Sequence, residues 1–395
     1  MSRAWGDSDF LAALTTPIEV RPSDIERAEL LLSDYLHCVL AGGTNKTVVS
    51  EPLTLAAQLA KAASHGDLDD VNWQLLIHPG SIVNSVIFAL FITCNIEVKR
   101  IVPAMIAGYS AANYAAGIFS AGHSKKWHTT ATSGIFGATC ASAYLLGLDA
   151  RTKKSALRLA SVSVGGGANA AIARNGATRF TRIHATVMGI LSTLEALNET
   201  PAPEQIINGM GGLATRFDLV EAAPPKVIGA LSETSLRFFP WSGFSQNALV
   251  SLQGALPIHP KRIRSVRIQT PTQLFPLVGS EAKGAWWSIA AAVRSTLLTG
   301  DPMVKSEAPA SFSVVALDSG TSTGVIEVAT ESGNIAIPFT PPKDFGTDAA
   351  LLTKKWRTLA GAKSPELSKL AQRLVSQSPD TQVCGDVIEL LQLNR

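Results

Sequence analysis

Cysteine is scarce in this sequence. Only four of its 395 residues are cysteines, and none lies near another in the chain. They are Cys38, Cys94, Cys140 and Cys384. Because this spacing lacks the close pairs of a zinc site and of a secreted disulfide framework, we expect a reducing compartment. The N-terminus also lacks the apolar core and cleavage site of a signal peptide, which favours a cytoplasmic protein.

Charge is scarce as well, and its two signs are balanced. Charged residues make up 16% of the chain, and 34 basic against 31 acidic side chains leave a formal net charge of +3. This excess is too small for a protein that binds by neutralising many phosphates, so nucleic acid is not an expected partner. The charge-free stretch from Ile101 to Gly122 contains Ser, Asn, Tyr, Gly and many Ala, which favours a buried helix over a membrane span.

Apolar residues make up 46% of the chain, enough for a large core, and they follow a helical period up to about residue 199. Pro22, Ser23 and Glu26 predict a capped helix start, and Gly42 and Gly43 predict the end of that helix. Further helices are predicted over residues 56–63, 82–93, 101–120, 132–146 and 150–162. Those between 82 and 146 are apolar almost all round, which is typical of the interior of a helical bundle.

After Pro224 and Pro225 the pattern changes to the alternation of β-strands. Strands are predicted over 263–270, 311–317, 324–329 and 334–338, with a hairpin turn at 330–333, and helices over 281–298 and 349–393. This order predicts a mostly α protein with an α+β lid. We expect a large all-helical domain of residues 1–232 and 350–395, and a smaller mixed α/β domain with antiparallel strands, residues 233–349.

Two histidines and an acidic run are candidates for chemistry. His128 lies in a loop before a predicted helix, and His78 also stands at a helix entry. A histidine gives or takes a proton near neutral pH, as acid–base chemistry at carbon requires, although capping or packing is the alternative role for each. The run of Asp67, Asp69 and Asp70 has the composition of an ordinary solvated turn.

Two further patterns do not fit the ligand sites that they suggest. His65, the three aspartates of the acidic run and His78 have no standard metal-ligand spacing, so no metal is expected. The glycine run 165–167 lacks the preceding strand and the following Lys-Ser/Thr of a phosphate-binding loop. Close packing between helices is the better explanation for these glycines.

Four segments of the chain form a distributed pattern. They are Ser64–Asp70 with His78-Pro79-Gly80-Ser81, Ala107-Gly108-Tyr109, Trp127-His128-Thr129-Thr130 with Gly134–Leu148, and Phe239-Pro240 with Gly279–Lys283. Together these segments resemble the MmgE/PrpD family, which includes 2-methylcitrate dehydratases and cis-aconitate decarboxylases. The resemblance spans roughly residues 34–300 and is closest around Trp127 and His128.

The resemblance implies a site, its chemistry and a partner. Members of this family place their site between the helical body and the lid, where histidines, an aspartate and lysines handle protons and hold substrate carboxylates. By position, the resemblance implies catalytic roles for Asp67, His78 and His128. It also implies a homodimer that acts on a carboxylated small molecule without a metal or an organic cofactor.

Three positions depart from the family pattern. Arg179, with Arg182 close by, stands where the family has a lysine, Arg237 stands where it has another, and Val71 replaces a threonine. Because arginine does not deprotonate in proteins but binds a carboxylate at two points, the arginines favour substrate binding over proton relay. The expected substrate-binding residues are Arg179, Arg182, Arg237, Val71, Trp127 and Trp241.

The sequence leaves three functions open. The leading one is a cofactor-free lyase, either a dehydratase or a decarboxylase. The second is a cyclase of the Diels–Alder type, or an isomerase, in specialised metabolism, for which Val71 and tryptophans would line an apolar cavity. The third is a catalytically silent binding protein. The site as predicted requires folding to bring His128 and Arg237 to one solvent-reachable crevice.

Overall fold

The computed structural model describes residues 6–44, 49, 51–173, 176–220, 230–279, 286–342, 348–376, 380 and 382–394. The chain divides into two compact units. Unit 1 comprises residues 1–65, 69–235 and 359–395, and unit 2 comprises residues 66–68 and 236–358. The sequence predicted domain boundaries after residues 232 and 349. It placed residues 66–68 in the helical domain, whereas these residues group with unit 2.

Helices dominate the described residues, and a single small sheet of mixed direction accompanies them, so the predicted fold class is confirmed. The α-helices are α1 Asp7–Leu14, α2 Pro22–Ala41, α3 Pro52–Ala63, α4 Gly80–Thr93, α5 Ile101–Gly117, α6 Thr129–Leu145, α7 Ala150–Val162, α8 Asn169–Ile172, α9 Thr178–Leu197, α10 Leu213–Arg216, α11 Gln246–Gly254, α12 Phe275–Val278, α13 Ile289–Thr299, α14 Ala349–Ala360, α15 Ser364–Val375 and α16 Val383–Leu390. The strands are β1 Ile263–Thr270, β2 Ser313–Asp318, β3 Gly324–Thr330 and β4 Gly333–Phe339.

The interior of unit 1 contains α4, α5 and α6, whose residues are nearly all buried. Small residues let the helix backbones approach one another. A Cβ on Gly137 would lie 2.8 Å from the Gly108 carbonyl oxygen. A Cβ on Gly189 would lie 2.2 Å from the Cβ of Ala138. Helix α6 is therefore packed closely against both α5 and α9. Within the described residues, no helix is long and apolar enough to cross a membrane.

The start of α2 differs from the prediction in its capping residue. The helix begins at Pro22 as expected, but the carboxylate of Asp24, not Ser23 or Glu26, accepts the backbone N–H of Arg21 at 3.0 Å. The residue preceding the proline is the N-cap, so the third position of the helix, where a carboxylate reaches back, falls on Asp24.

Unit 2 contains a four-stranded sheet in the order β2-β1-β3-β4. The pairs β1–β3 and β3–β4 are antiparallel as predicted, whereas β1 and β2 are parallel, with Val266 opposite Val314. Parallel pairing requires a long crossover, and the chain between β1 and β2 includes α12 and α13. The core side of the sheet includes Ile268 and Ile326, and burial of each such side chain contributes about 1.5–3 kcal/mol.

Helix α13 is shorter than the segment 281–298 predicted for it. It begins at Ile289, where the Ser288 hydroxyl accepts the N–H of Ala291 at 3.3 Å. A serine that caps in this way satisfies a backbone donor of the first turn and fixes the helix start. Residues 280–285, which include most of the Gly279–Lys283 segment used for the family resemblance, lie outside the described residues.

Candidate active site

Two of the three aspartates in the acidic run are buried rather than solvated, which corrects the expectation for this segment. Asp69 and Asp70 expose only 4% and 5% of their surface. The backbone turns sharply just before them, because Gly66 and Asp67 both have φ in the left-handed region, at 75° and 60°. Glycine adopts this conformation freely, and aspartate tolerates it better than most residues do. Residues 66–68 are part of unit 2, whereas Asp69 and Asp70 belong to unit 1.

His128 is the N-cap residue of α6 and is partly exposed. Its backbone N–H donates to the Gly166 carbonyl at 2.8 Å. Gly166 has φ 114°, and a Cβ on it would lie 2.9 Å from the Ala131 side chain, so this glycine allows the glycine run to approach the start of α6. The ring Nδ1 of His128 lies 2.7 Å from the hydroxyl oxygen of Thr181 in α9.

The hydrogen bonds of Thr181 assign the tautomer of His128. The hydroxyl of Thr181 donates to the Thr178 carbonyl at 2.8 Å, so its oxygen is left to accept a proton from the imidazole. Nδ1 of His128 therefore carries the hydrogen, and Nε2 carries the lone pair. Nε2 has no hydrogen-bond partner among the described residues, and this atom is not fully buried. It is the proton-accepting atom of this side chain.

His78 has the same tautomer through a different acceptor. Its Nδ1 lies 2.6 Å from the backbone carbonyl oxygen of Asp70, which can only accept, so Nδ1 carries the hydrogen in the neutral ring. Its backbone N–H donates to the Thr130 hydroxyl at 3.3 Å, which ties it to the first turn of α6. The side chain of His78 is 18% exposed.

A buried ion pair lies beside these histidines. Nη1 of Arg182 contacts Oδ2 of Asp69 at 2.6 Å, and both side chains are about 5% exposed or less. The same carboxylate oxygen lies 3.8 Å from Nδ1 of His78. Burial, together with the positive charges of Arg182 and His78, lowers the pKa of His128 to about 3, and Asp69 opposes this shift. His128 is therefore neutral at neutral pH.

Unit 2 contains a second group of charges. Nη1 of Arg237 contacts Oδ2 of Asp67 at 2.5 Å, and the arginine side chain is 2% exposed. The buried Lys355 donates from Nζ to the Leu68 carbonyl at 2.9 Å. Burial lowers the pKa of Lys305, and the nearby Asp67 carboxylate partly opposes this shift. Arg237, predicted to hold a substrate carboxylate, thus already has an internal carboxylate partner.

The remaining predicted site residues make other contacts within the protein. Arg179 lies beside Gly176 at the start of α9. Val71 is buried and exchanges backbone hydrogen bonds with Ser235 at 2.9 and 2.7 Å. The substrate contacts expected of Arg179 and Val71 stay predictions.

The two tryptophans expected to form walls of the site also have packing partners. Trp127 packs edge-on against Phe217 with ring centroids 4.8 Å apart. Trp241 is buried and donates its indole N–H to the Pro302 carbonyl at 2.9 Å. These contacts are those of ordinary core packing, the alternative role considered for such residues.

The structure thus gathers His78, His128 and Arg182 in unit 1, and Asp67 with Arg237 in unit 2. Whether His128 and Arg237 share one crevice stays a prediction. Sequence reasoning missed Asp69 and Thr181 as partners of this group. The doubled aspartate in an acidic run was the available signal for Asp69, whereas Thr181 had no signal beyond its helical spacing from Thr178.

No metal ligands were predicted at this site. Among the described residues, no three His, Cys, Asp or Glu side chains converge as a metal site would require. All four cysteines are free thiols.

Residues 50–219 match the family model described as the MmgE/PrpD N-terminal domain. This part of the chain is similar to the N-terminal domain of the MmgE/PrpD family. The match confirms the resemblance over the region that contains both histidines, Asp69 and Arg182, and it ends before Arg237. No curated protein matches the chain significantly.

Proposed function

We propose that this MmgE/PrpD-type protein is a lyase that breaks a carbon–oxygen or carbon–carbon bond next to a carboxylate of a small molecule. One observation carries the proposal. Two histidines, His78 and His128, are each held through an Nδ1 hydrogen bond beside the buried Arg182. Held in this way, both rings are fixed in orientation and His128 keeps Nε2 for proton transfer, as general acid–base catalysis needs.

In the proposed elimination of water, one histidine ring is the base and the other is the acid. Nε2 of His128 takes a proton from the carbon beside the carboxylate, and the electron pair of that bond forms the carbon–carbon double bond. The carbon–oxygen bond breaks as protonated His78 gives its proton to the departing hydroxyl, which leaves as water. In the decarboxylation alternative, carbon dioxide leaves, and a histidinium ring protonates the carbon that retains the electron pair.

Arg182 is the proposed source of positive charge at this site. Asp69 engages Nη1 of its guanidinium, whereas its buried Nε has no hydrogen-bond partner among the described residues. A fixed cation in a water-poor site stabilises the enolate that develops beside a carboxylate. An anionic substrate would also oppose the effect of Arg182 on His128 and raise the pKa of that base.

The contacts of the described residues lend the cyclase alternative little support. It required Val71, Trp127 and Trp241 to line an apolar cavity, yet Val71 and Trp241 are buried and Trp127 packs on Phe217. No contact of the described residues favours cyclisation over a lyase. The homodimer and the cofactor-free reaction are parts of the lyase proposal, to be checked by light scattering and by assays after chelator treatment.

The test is a turnover assay with a panel of citrate-like and aconitate-like acids, followed by mass spectrometry for loss of water or of carbon dioxide. His128→Gln should lower kcat about 10²- to 10⁴-fold, because general base catalysis contributes that range. His259→Gln is the matched control, since this exposed histidine lies in unit 2. Equal turnover by both variants would remove His128 from the mechanism. Ligand-induced stabilisation of the parent and of His128→Gln, without turnover, would instead support a binding protein.

A further inference from the structure

We infer that Asp70 is a positioning residue of this site, which orients His78 with its backbone carbonyl and anchors that carbonyl with its buried carboxylate. The inference rests on the proposed function of His78 and adds a residue to which no role has been assigned. Asp70 is 5% exposed and lies inside the family-matched region.

The carboxylate of Asp70 is held by donors from two helices. The N–H of Gly80, the first residue of α4, donates to both carboxylate oxygens at 3.0 and 3.1 Å. The hydroxyl of Tyr109, in α5, donates to Oδ2 at 2.9 Å. Asn84, one turn further along α4, donates to the Tyr109 oxygen at 3.1 Å, which directs the tyrosine hydrogen towards Asp70. These contacts fix the carboxylate relative to α4 and α5.

The backbone of Asp70 contacts the proposed catalytic ring directly. Its carbonyl oxygen accepts the Nδ1 hydrogen of His78 at 2.6 Å. His78 precedes Gly80 by only two residues, so Asp70 binds the chain on both sides of Pro79: its carbonyl holds the imidazole, and its carboxylate holds the Gly80 amide. Rotation of the ring would break the first contact, and displacement of the helix start would break the second.

Gly80 makes this arrangement possible. A Cβ at this position would lie 2.5 Å from Oδ2 of Asp70 and 2.5 Å from the hydroxyl oxygen of Tyr109, far inside van der Waals contact. Only glycine leaves room for the Asp70 carboxylate at the amide and for the Tyr109 hydroxyl beside that carboxylate. A helix start that needed only a cap would accept a larger residue here, with the donor groups further away.

The test combines NMR of the histidine ring nitrogens with kinetics on the full chain. In Asp70→Asn, one acceptor oxygen becomes an NH₂ donor that faces the Gly80 amide or the Tyr109 hydroxyl, so residue 70 should shift. In its neutral form, the His78 ring, assigned by comparison with His78→Gln, should change from a single Nδ1–H tautomer to a mixture. We expect kcat to fall about 100-fold with little change in KM, as for a misplaced catalytic group.

Two further variants keep the inference testable. Tyr109→Phe removes one donor while retaining the ring, and it should shift the tautomer in the same direction if Asp70→Asn does not fold. Asp24→Asn is the matched control, since this buried aspartate also lies at a helix start but contacts Arg21. An unchanged His78 tautomer in folded Asp70→Asn and Tyr109→Phe would overturn the inference. Turnover unaffected by His78→Gln would refute the proposed role of His78, while the tautomer measurement would still judge the role of Asp70.

Discussion

Asp70→Asn should change the pH dependence of stability in a direction that the structure dictates. Burial and the neighbouring Asp69 raise the pKa of Asp70 to about 7 from 3.8, with a smaller contribution from Asp34, although the hydrogen bonds of Tyr109 and Gly80 oppose the shift. Between these two pH values the folded protein retains a proton that the unfolded chain has lost. The unfolding free energy of the wild type therefore falls as pH rises through this window.

The size of this effect follows from the shift. One pKa unit corresponds to about 1.4 kcal/mol, so a shift of about three units gives about 4 kcal/mol across the window. Asparagine does not ionise and lacks this contribution. The unfolding free energy of Asp70→Asn minus that of the wild type should therefore increase by up to about 4 kcal/mol from pH 3.8 to pH 7, then level off. The positive charge of the nearby Arg27 is common to both proteins.

Urea unfolding followed by circular dichroism at a series of pH values measures this difference. Asp24→Asn is a control of opposite sign, because Arg21 lowers the pKa of Asp24 and the wild type gains stability from it as pH rises through the carboxyl range. The unfolding free energy of Asp70→Asn minus that of the wild type could instead stay constant or decrease between pH 3.8 and 7. This result would show that the folded protein does not destabilise the ionised form of Asp70. The environment described for it would then be wrong.

Three other changes test the packing and charges of unit 1. Arg182→Met removes the guanidinium that contacts the buried Asp69 at 2.6 Å and should lower the unfolding free energy by about 3–5 kcal/mol in urea titrations. Gly189→Ala places a methyl group against Ala138 and should cost about 1–3 kcal/mol, whereas Gly254→Ala, in open space at the end of α11, should change stability by less than about 1 kcal/mol. His128→Gln should lose less stability than the wild type on acidification from pH 6.5 to about 3, because in this range His128 binds a proton in the unfolded chain but not in the folded protein. Thermal melts at a series of pH values measure this loss, and an equal loss in both proteins would contradict the lowered pKa.

Regular elements could be predicted from the sequence because their causes are local. Strand β1 and helix α7 have the predicted bounds, since alternation in one and an amphipathic period with an aspartate cap in the other specify them. The late start of α13 and the parallel pairing of β2 could not be predicted from such signals. They depend on Ser288 as a cap and on the path of the chain between two strands.

The candidate site was predictable only in its residue types. His78 and His128 were found because histidine suits proton transfer and because the family resemblance marked both positions. Their tautomers could not be predicted, since they depend on Asp70 and on Thr181, which is 53 residues away from His128. The burial of Asp69 likewise depends on Arg182, 113 residues away, and composition alone favoured a solvated turn.

The grouping of residues 66–68 with unit 2 limits how this protein can be divided. A gene fragment that encoded only residues 236–358 would omit the Asp67 carboxylate and the Leu68 carbonyl, which contact the buried cations Arg237 and Lys355. Removing one member of a buried pair typically costs about 3–5 kcal/mol, a large share of the stability of a small domain. Unit 2 is therefore not a transferable module when it is cut at residues 236 and 358, and grafting it onto another protein would require that tripeptide to be grafted as well.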